Sequence, residues 1–185
     1  AKPLPDGPIR FMLIARLLGD KGVREYVAAA RMIRDKHAAV EFHLVGGVDP
    51  NPDAIPEDEV RCWHDARDIV WHGALPDVRP AITATHVYVL PSYREGTPRT
   101  VLEAMSMGRA IITTDAPGCR ETVQADVNGL LVPVRDVEAL ATAIERFICN
   151  PELIAQMGAE SRRIAVEKYD VRKVNAAMLE AMELT

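Results

Sequence analysis

Residues 86–121 read HVYVLPSYREGTPRTVLEAMSMGRAIITTDAPGCRE, and in this stretch two apolar runs bracket an amphipathic segment. HVYVLPS (86–92) predicts a buried strand stopped by Pro91. PRTVLEAMSMG (98–108) predicts a helix, with Thr97 as its cap, Pro98 at its first position and Gly108 at its end. AIITT (110–114) predicts the next strand. Neither strand alternates apolar with polar residues. Continuous runs of this kind mark parallel strands covered on both faces.

The same rhythm extends outward. Towards the N-terminus lie strands IRFMLIA (9–15), VEFHLVG (40–46) and IVWHG (69–73). Between them come helices over 22–36, over 56–67 with Pro56 in its first turn, and over 77–84. The second strand ends at Gly46-Gly47, read as a sharp backbone turn. Towards the C-terminus come a strand GLLVP (129–133) and helices near 136–148, 151–167 and 171–183. The fold class is therefore α/β: a doubly wound, six-stranded parallel sheet with helices on both faces. Residues 1–8 (AKPLPDGP) read as a linker, 9–170 as the folded domain and 171–185 as a C-terminal helix.

Composition limits what such a domain does. Lys and Arg total 22 against 27 Asp and Glu, a net charge of −5, which argues against a nucleic-acid surface but allows a local basic pocket. Cys62, Cys119 and Cys149 lack metal-ligand spacing and read as reduced thiols of a cytoplasmic protein. No apolar run reaches the roughly 20 residues needed to cross a bilayer, and the polar opening does not read as a signal peptide. His64, His72 and His86 read as structural, Ser92 and Ser106 lack a nucleophile-elbow setting, and Met105 and Met107 read as core.

Open α/β sheets bind ligands at the carboxyl ends of their strands. Three loops fall there. ARLLGDKG places Arg16 and Lys21 beside a strand end and a helix start, which suits a diphosphate; the alternative is two solvated cations in a turn. SYREGTPRTVLE carries Glu95 and, within the helix, Glu103. A carboxylate such as Glu103 accepts two hydrogen bonds from a ribose diol, and Glu95 suits a hexose in the same way. Pro98 has no amide, so backbone donors to an anion would be Gly96, Thr97, Arg99 and Thr100. The alternative is a capped helix with Glu103 paired to a nearby base. TTDAPGCRE, with Asp115, Gly118 and Glu121, reads only as a glycine turn into a helix.

Taken in order, these loops resemble the C-terminal domain of a retaining glycosyltransferase of the GT-B fold, in the large family-four group. The resemblance runs from about residue 9 to 170 and is most specific from Pro91 to Glu121. It implies a Rossmann-like donor domain for a nucleoside-diphosphate sugar. It gives Arg16, Lys21 and Glu95 catalytic roles: the two cations on the diphosphate, the acid on the transferred sugar. It assigns Gly47, Leu75, Gly96, Thr97, Arg99, Thr100 and Glu103 to the donor, with the backbone near Leu75 at the base and Glu103 on the ribose. No cofactor or metal is implied. Ala15 stands where the family usually has glycine, His86 where it often has Asp, and Thr97-Pro98-Arg99 where Phe-Gly is more frequent.

REGTPRTVLEAM is similar to bacterial enzymes of surface polysaccharide, lipopolysaccharide or lipid-linked glycan synthesis. That implies a UDP-linked N-acetylhexosamine donor and a membrane-associated, lipid-linked acceptor. It further implies a partner N-terminal acceptor domain outside this chain and a place at the inner face of the bacterial membrane. A fragment of this kind is expected to bind nucleotide weakly and to have little or no transferase activity. The competing readings are a non-catalytic nucleotide-binding module, a nucleotide-sugar epimerase of GT-B-like fold, and a nicotinamide-binding domain. The missing GxGxxG fingerprint disfavours the last.

Overall fold

A computed structural model describes residues 1–181. Its elements are β1 (Ile9–Ile14), α1 (Val23–Arg34), β2 (Val40–Val45), α2 (Glu57–Asp65), β3 (Val70–Trp71), α3 (Arg79–Thr83) and β4 (Val87–Leu90), followed by α4 (Arg99–Ser106), β5 (Ala110–Thr114), β6 (Gly129–Val132), α5 (Val137–Cys149), α6 (Glu152–Lys168) and α7 (Val171–Ala181). The end of the expected last helix, 182–183, lies outside the described residues. The six strands form one sheet in the order β3-β2-β1-β4-β5-β6, and every pairing is parallel.

Successive strand residues point to opposite faces; both faces are buried at β4 and β5 and along most of β1, so these runs do not alternate, whereas Glu41 and His43 leave one face of β2 partly open near the sheet edge. Phe11, Leu13, Phe42 and Val89 pack with Tyr26 of α1, Trp63 of α2 and Phe147 of α5. Met12, Ile14, Tyr88 and Leu90 pack on the other face with Ile82 of α3 and Val101 and Met105 of α4.

Three local expectations need correction. Thr97 does not cap α4. Pro98 is the cap, in extended conformation, because its carbonyl is the first helical acceptor and takes the amides of Val101 and Leu102; no side-chain cap bond forms. Pro56 likewise precedes α2 rather than entering its first turn. Gly46 and Gly47 are not left-handed turn residues. Gly46 is small because a Cβ there would lie 2.2 Å from the Ala15 carbonyl oxygen, where β1 and β2 end side by side.

The histidines have structural partners. His64 Nδ1 accepts the Trp71 amide and His72 Nε2 meets His43 Nδ1 at 2.9 Å. His86, at the amino end of β4, accepts the Arg10 amide on Nδ1 at 3.0 Å and donates from Nε2 to Pro5 O at 2.9 Å. Both ring nitrogens are therefore used by the neutral form, and a second proton would face the Arg10 N–H. Burial lowers the pKa of His86, and also of His43 and His72. The unfolded chain then binds protons first as pH falls. The stability these rings contribute is complete above their ordinary value of 6.5 and is lost as pH drops through the lowered folded values. Urea unfolding should thus show stability falling from pH 7.5 to 5.5. His86→Asn, which keeps an acceptor but does not titrate, should flatten that slope; an unchanged slope would remove His86 from the effect.

Candidate functional site

The sheet order reverses between β1 and β4, so the chain leaves these neighbouring strands in opposite directions and a crevice opens at their carboxyl ends. A cavity of about 650 Å³ occupies it. Ile14 and Ala15 end one wall and Leu90 the other, and Arg16, Lys21, Glu95, Thr97, Pro98, Arg99 and Thr100 complete it. Three loops far apart in sequence meet here because parallel topology delivers every strand's carboxyl end to one rim.

Contacts between the loops set their positions. Gly22 adopts φ 69° against Pro91, whose carbonyl oxygen would lie 2.1 Å from a Cβ at that site. Tyr93 N donates to Asp20 O at 2.8 Å, tying the second loop to the first. Glu95 N donates to Pro117 O at 3.0 Å. Gly118, at φ 81°, lies directly beneath the carbonyls of Glu95 and Gly96. Thr113 Oγ1 donates to Leu90 O at 2.7 Å, and Thr114 Oγ1 to Ser92 O. The Tyr93 hydroxyl donates to Glu25, and Arg135 stacks 4.6 Å over the Tyr93 ring. Burial and the Glu25 acceptor raise the Tyr93 pKa, so the phenol keeps its proton. At the end of β1, Ile14 O accepts from Tyr88 at 3.0 Å, which fixes the strand's last carbonyl.

Three cations line this cavity against one carboxylate, and two further carboxylates, Asp49 and Asp20, stand within 4 Å of Arg16 and Lys21. Lys21 Nζ is 2.8 Å from Glu95 Oε1, with 12% and 18% of the two side chains exposed. Arg16 is 66% exposed and lies 3.5 Å from Asp49. Arg99 and Thr100 open the first turn of α4, where amides precede the helical hydrogen-bond ladder and the helix dipole favours an anion.

A second cavity, about 280 Å³, adjoins the first through the shared walls Ile14, Ala15, Arg16 and Thr100. Gly47, Ala74, Leu75 and Val78 give it an apolar lining. The Trp71 indole N–H holds Gly46 O at 2.9 Å, fixing the loop at its edge.

The structure thus brings Arg16, Lys21, Glu95, Thr97, Arg99 and Thr100 to one wall, and Gly47 and Leu75 to the adjoining one. Gly96 is exposed beside the first cavity, and Glu103 sits half-buried one turn along α4 from Arg99; neither is in the wall of either cavity. Asp115 pairs with Arg120 at 3.1 Å, and Glu121 O accepts from Tyr169, so that loop supports the site without lining it. Sequence reasoning missed Asp49, Glu25, Tyr93 and Arg135, and gave Gly118 no role. Only Gly118 carried a signal, a glycine in a turn. A larger cavity, about 720 Å³, opens at the opposite end of β1 and β2 between Pro8, Lys36, His37 and Ile148, with none of the singled-out residues. Among the described residues no group of three or more His, Cys, Asp or Glu is placed to hold a metal ion. No helix among them is long and apolar enough to cross a membrane.

A doubly wound parallel sheet with Arg16, Lys21 and Arg99 in the crevice at its switch point defines a Rossmann-like domain. Comparison with known proteins gives its family: the model for Glycosyl transferases group 1 matches residues 8–150, and the chain belongs to that family. A relative from Campylobacter jejuni, N,N'-diacetylbacillosaminyl-diphospho-undecaprenol alpha-1,3-N-acetylgalactosaminyltransferase, is 31% identical over 86% of this chain and 40% of its own length. Sucrose-phosphate synthase from Thermosynechococcus elongatus superposes with a TM-score of 0.84 at 27% identity, over 98% of this chain and 46% of that one. Anabaena HepE, solved with UDP and glucose, gives a TM-score of 0.80 at 24% identity, over 96% of this chain and 48% of that one. The fold is one half of a GT-B glycosyltransferase, and the chain spans less than half the length of the curated relatives it matches.

Proposed function

We propose that this domain binds a UDP-linked N-acetylhexosamine and presents it for transfer, with retained configuration, to a glycan or lipid-linked acceptor held by a second, N-terminal domain. The observation that carries this reading is the convergence of Arg16, Lys21 and Arg99 with Glu95 in one cleft at the switch point. The cations and the α4 amides would take the diphosphate and stabilise the charge that grows on it as the sugar leaves, without a divalent metal. Glu95 would accept the sugar's hydroxyls, and the apolar cavity beside Leu75 suits a flat base. The UDP found in Anabaena HepE supports the nucleotide, and the name of the Campylobacter relative supports the N-acetylhexosamine and a lipid-linked acceptor. The wall holds no histidine, so activation of the acceptor would fall to groups outside this chain. The isolated 185 residues should accordingly bind donor without turning it over, and measurable transfer by them would overturn that division of labour.

Calorimetric titration with UDP and with uridine tests the site. Arg16→Ala should weaken UDP about tenfold, the loss of roughly one charge-assisted hydrogen bond, and leave uridine unchanged. Equal losses for both ligands would remove Arg16 from the phosphate. Glu103→Ala should weaken both ligands if Glu103 reaches the ribose from its place on α4, and unchanged affinity would withdraw that role.

A further inference from the structure

In the unliganded domain the two most enclosed charges of the cleft are spent on each other. Lys21 and Glu95 are paired at 2.8 Å with most of both side chains covered, and Asp20 adds a weaker contact to Lys21 at 3.8 Å. Arg16, by contrast, extends into solvent. The backbones on either side of the pair are fixed. Gly22 is seated on Pro91, Tyr93 N is bound to Asp20 O, and Gly118 lies under Glu95. Lys21 and Glu95 therefore stay in the cleft and only re-aim their side chains. A covered ammonium releases a carboxylate only to another anion. A carboxylate held by an ammonium does not turn to neutral hydroxyls, whose hydrogen bonds are weaker.

We propose that the Lys21–Glu95 pair is a specificity-determining exchange: the ligand's diphosphate takes Lys21, and Glu95, released, then accepts hydroxyls of the sugar joined to that diphosphate. The inference rests on reading the cleft as a nucleoside-diphosphate-sugar site. Its consequence is selectivity for a hexose attached to a diphosphate over a free hexose, because the free sugar has nothing to offer Lys21. Diphosphate and sugar recognition become coupled through one ion pair, with no loop movement required.

The sign of a double-mutant cycle tests this. UDP and inorganic pyrophosphate are titrated into the wild-type chain, Glu95→Gln, Lys21→Met and the double variant, each first checked for folding by circular dichroism. If the pair must break on binding, Glu95→Gln frees Lys21 and should tighten both ligands about tenfold. The same change made on Lys21→Met should then gain less, because no pair remains to break. If Lys21 instead keeps Glu95 neutralised throughout, Glu95→Gln gains as much or more on the Lys21→Met background, and the exchange is overturned. Equal affinities of wild type and Glu95→Gln would overturn it too. A UDP-linked N-acetylhexosamine should bind the wild type more tightly than UDP and lose that advantage in Glu95→Gln; an advantage kept there would take Glu95 off the sugar. Failure of every variant to bind UDP or pyrophosphate would instead reject the donor-site reading, and the exchange with it.

Discussion

Gly118→Ala should lower the unfolding free energy by about 2–5 kcal/mol and weaken binding of a UDP-linked sugar in the protein that remains folded. Two costs add. Gly118 sits at φ 81°, in the left-handed region, where an L side chain costs about 1–2 kcal/mol. Its Cβ would also lie 2.0 Å from Glu95 O, 2.1 Å from Gly96 O and 2.4 Å from Glu95 C. All three are backbone atoms and none is the far end of a flexible side chain, so relief requires moving the loop itself, at about 1–3 kcal/mol. That loop carries Glu95, whose amide is also held by Pro117 O. The strain therefore reaches the cleft through the residue assigned to the sugar. Gly96→Ala is the control, since nothing lies within 4 Å of its added Cβ and its φ is not positive. Urea midpoints separate the two variants. A Gly118→Ala midpoint equal to that of Gly96→Ala would show that the loop gives way freely, and the platform role of Gly118 would be lost.

That asymmetry between two neighbouring glycines was not readable in the sequence, and the reason is general. Periodicity and punctuation report what a residue does within its own element. They placed β5 at 110–114 with the bounds the structure has, and β6 within one residue. They also marked the strands as parallel, so that Arg16, Lys21, Glu95, Arg99 and Thr100 were expected on one rim, where the structure has them. What stayed hidden is contact between loops. Gly46 was read as a turn, whereas its smallness answers to the Ala15 carbonyl of a neighbouring strand. Thr97 was read as a cap, but Pro98's carbonyl is the first acceptor and leaves Thr97 to the cavity wall. Tyr93, Glu25 and Arg135 form one cluster from segments separated by up to 110 positions, and no spacing rule encodes it. Glu103 fell at family spacing and shares a face of α4 with Arg99 and Thr100, yet it sits one turn further along and lies outside both cavity walls.

Arg109→Met should produce a comparable loss of stability, about 3–5 kcal/mol, with no change in nucleotide affinity. Arg109 is fully buried just before β5, at the end of the sheet opposite the cleft. It has no carboxylate partner in its hydrogen-bond set, and burial lowers its pKa. Its donors go to carbonyls: Nε to Ile82 O at 3.1 Å, Nη2 to Thr83 O and Pro3 O at 3.0 Å each, and Nη1 to Lys2 O at 3.2 Å. Ile82 and Thr83 end α3, so one guanidinium closes that helix's carboxyl terminus and fastens the segment Lys2–Pro3 beneath the sheet. Replacing a buried ion pair with apolar side chains is often harmless because both charges leave together. Here the acceptors are main-chain carbonyls that no substitution removes: methionine fills the volume but takes the donor from Thr83 O, leaves Ile82 O with the Thr85 amide alone, and unfastens Lys2 and Pro3. Lysine, with a single ammonium, cannot span four acceptors in the guanidinium's plane, and Arg109→Lys should recover less than half of the loss. Urea denaturation of the three proteins measures this, read from the midpoint at constant slope. UDP titration at a temperature where all are folded supplies the second readout. An Arg109→Met protein as stable as wild type would mean the carbonyls find water and the buried guanidinium is no anchor. One that is destabilised and also loses UDP affinity would mean the two ends of the sheet are coupled, whereas Gly118 and Arg109 as placed here should separate: one change reaches the cleft, and the other reaches only the fold.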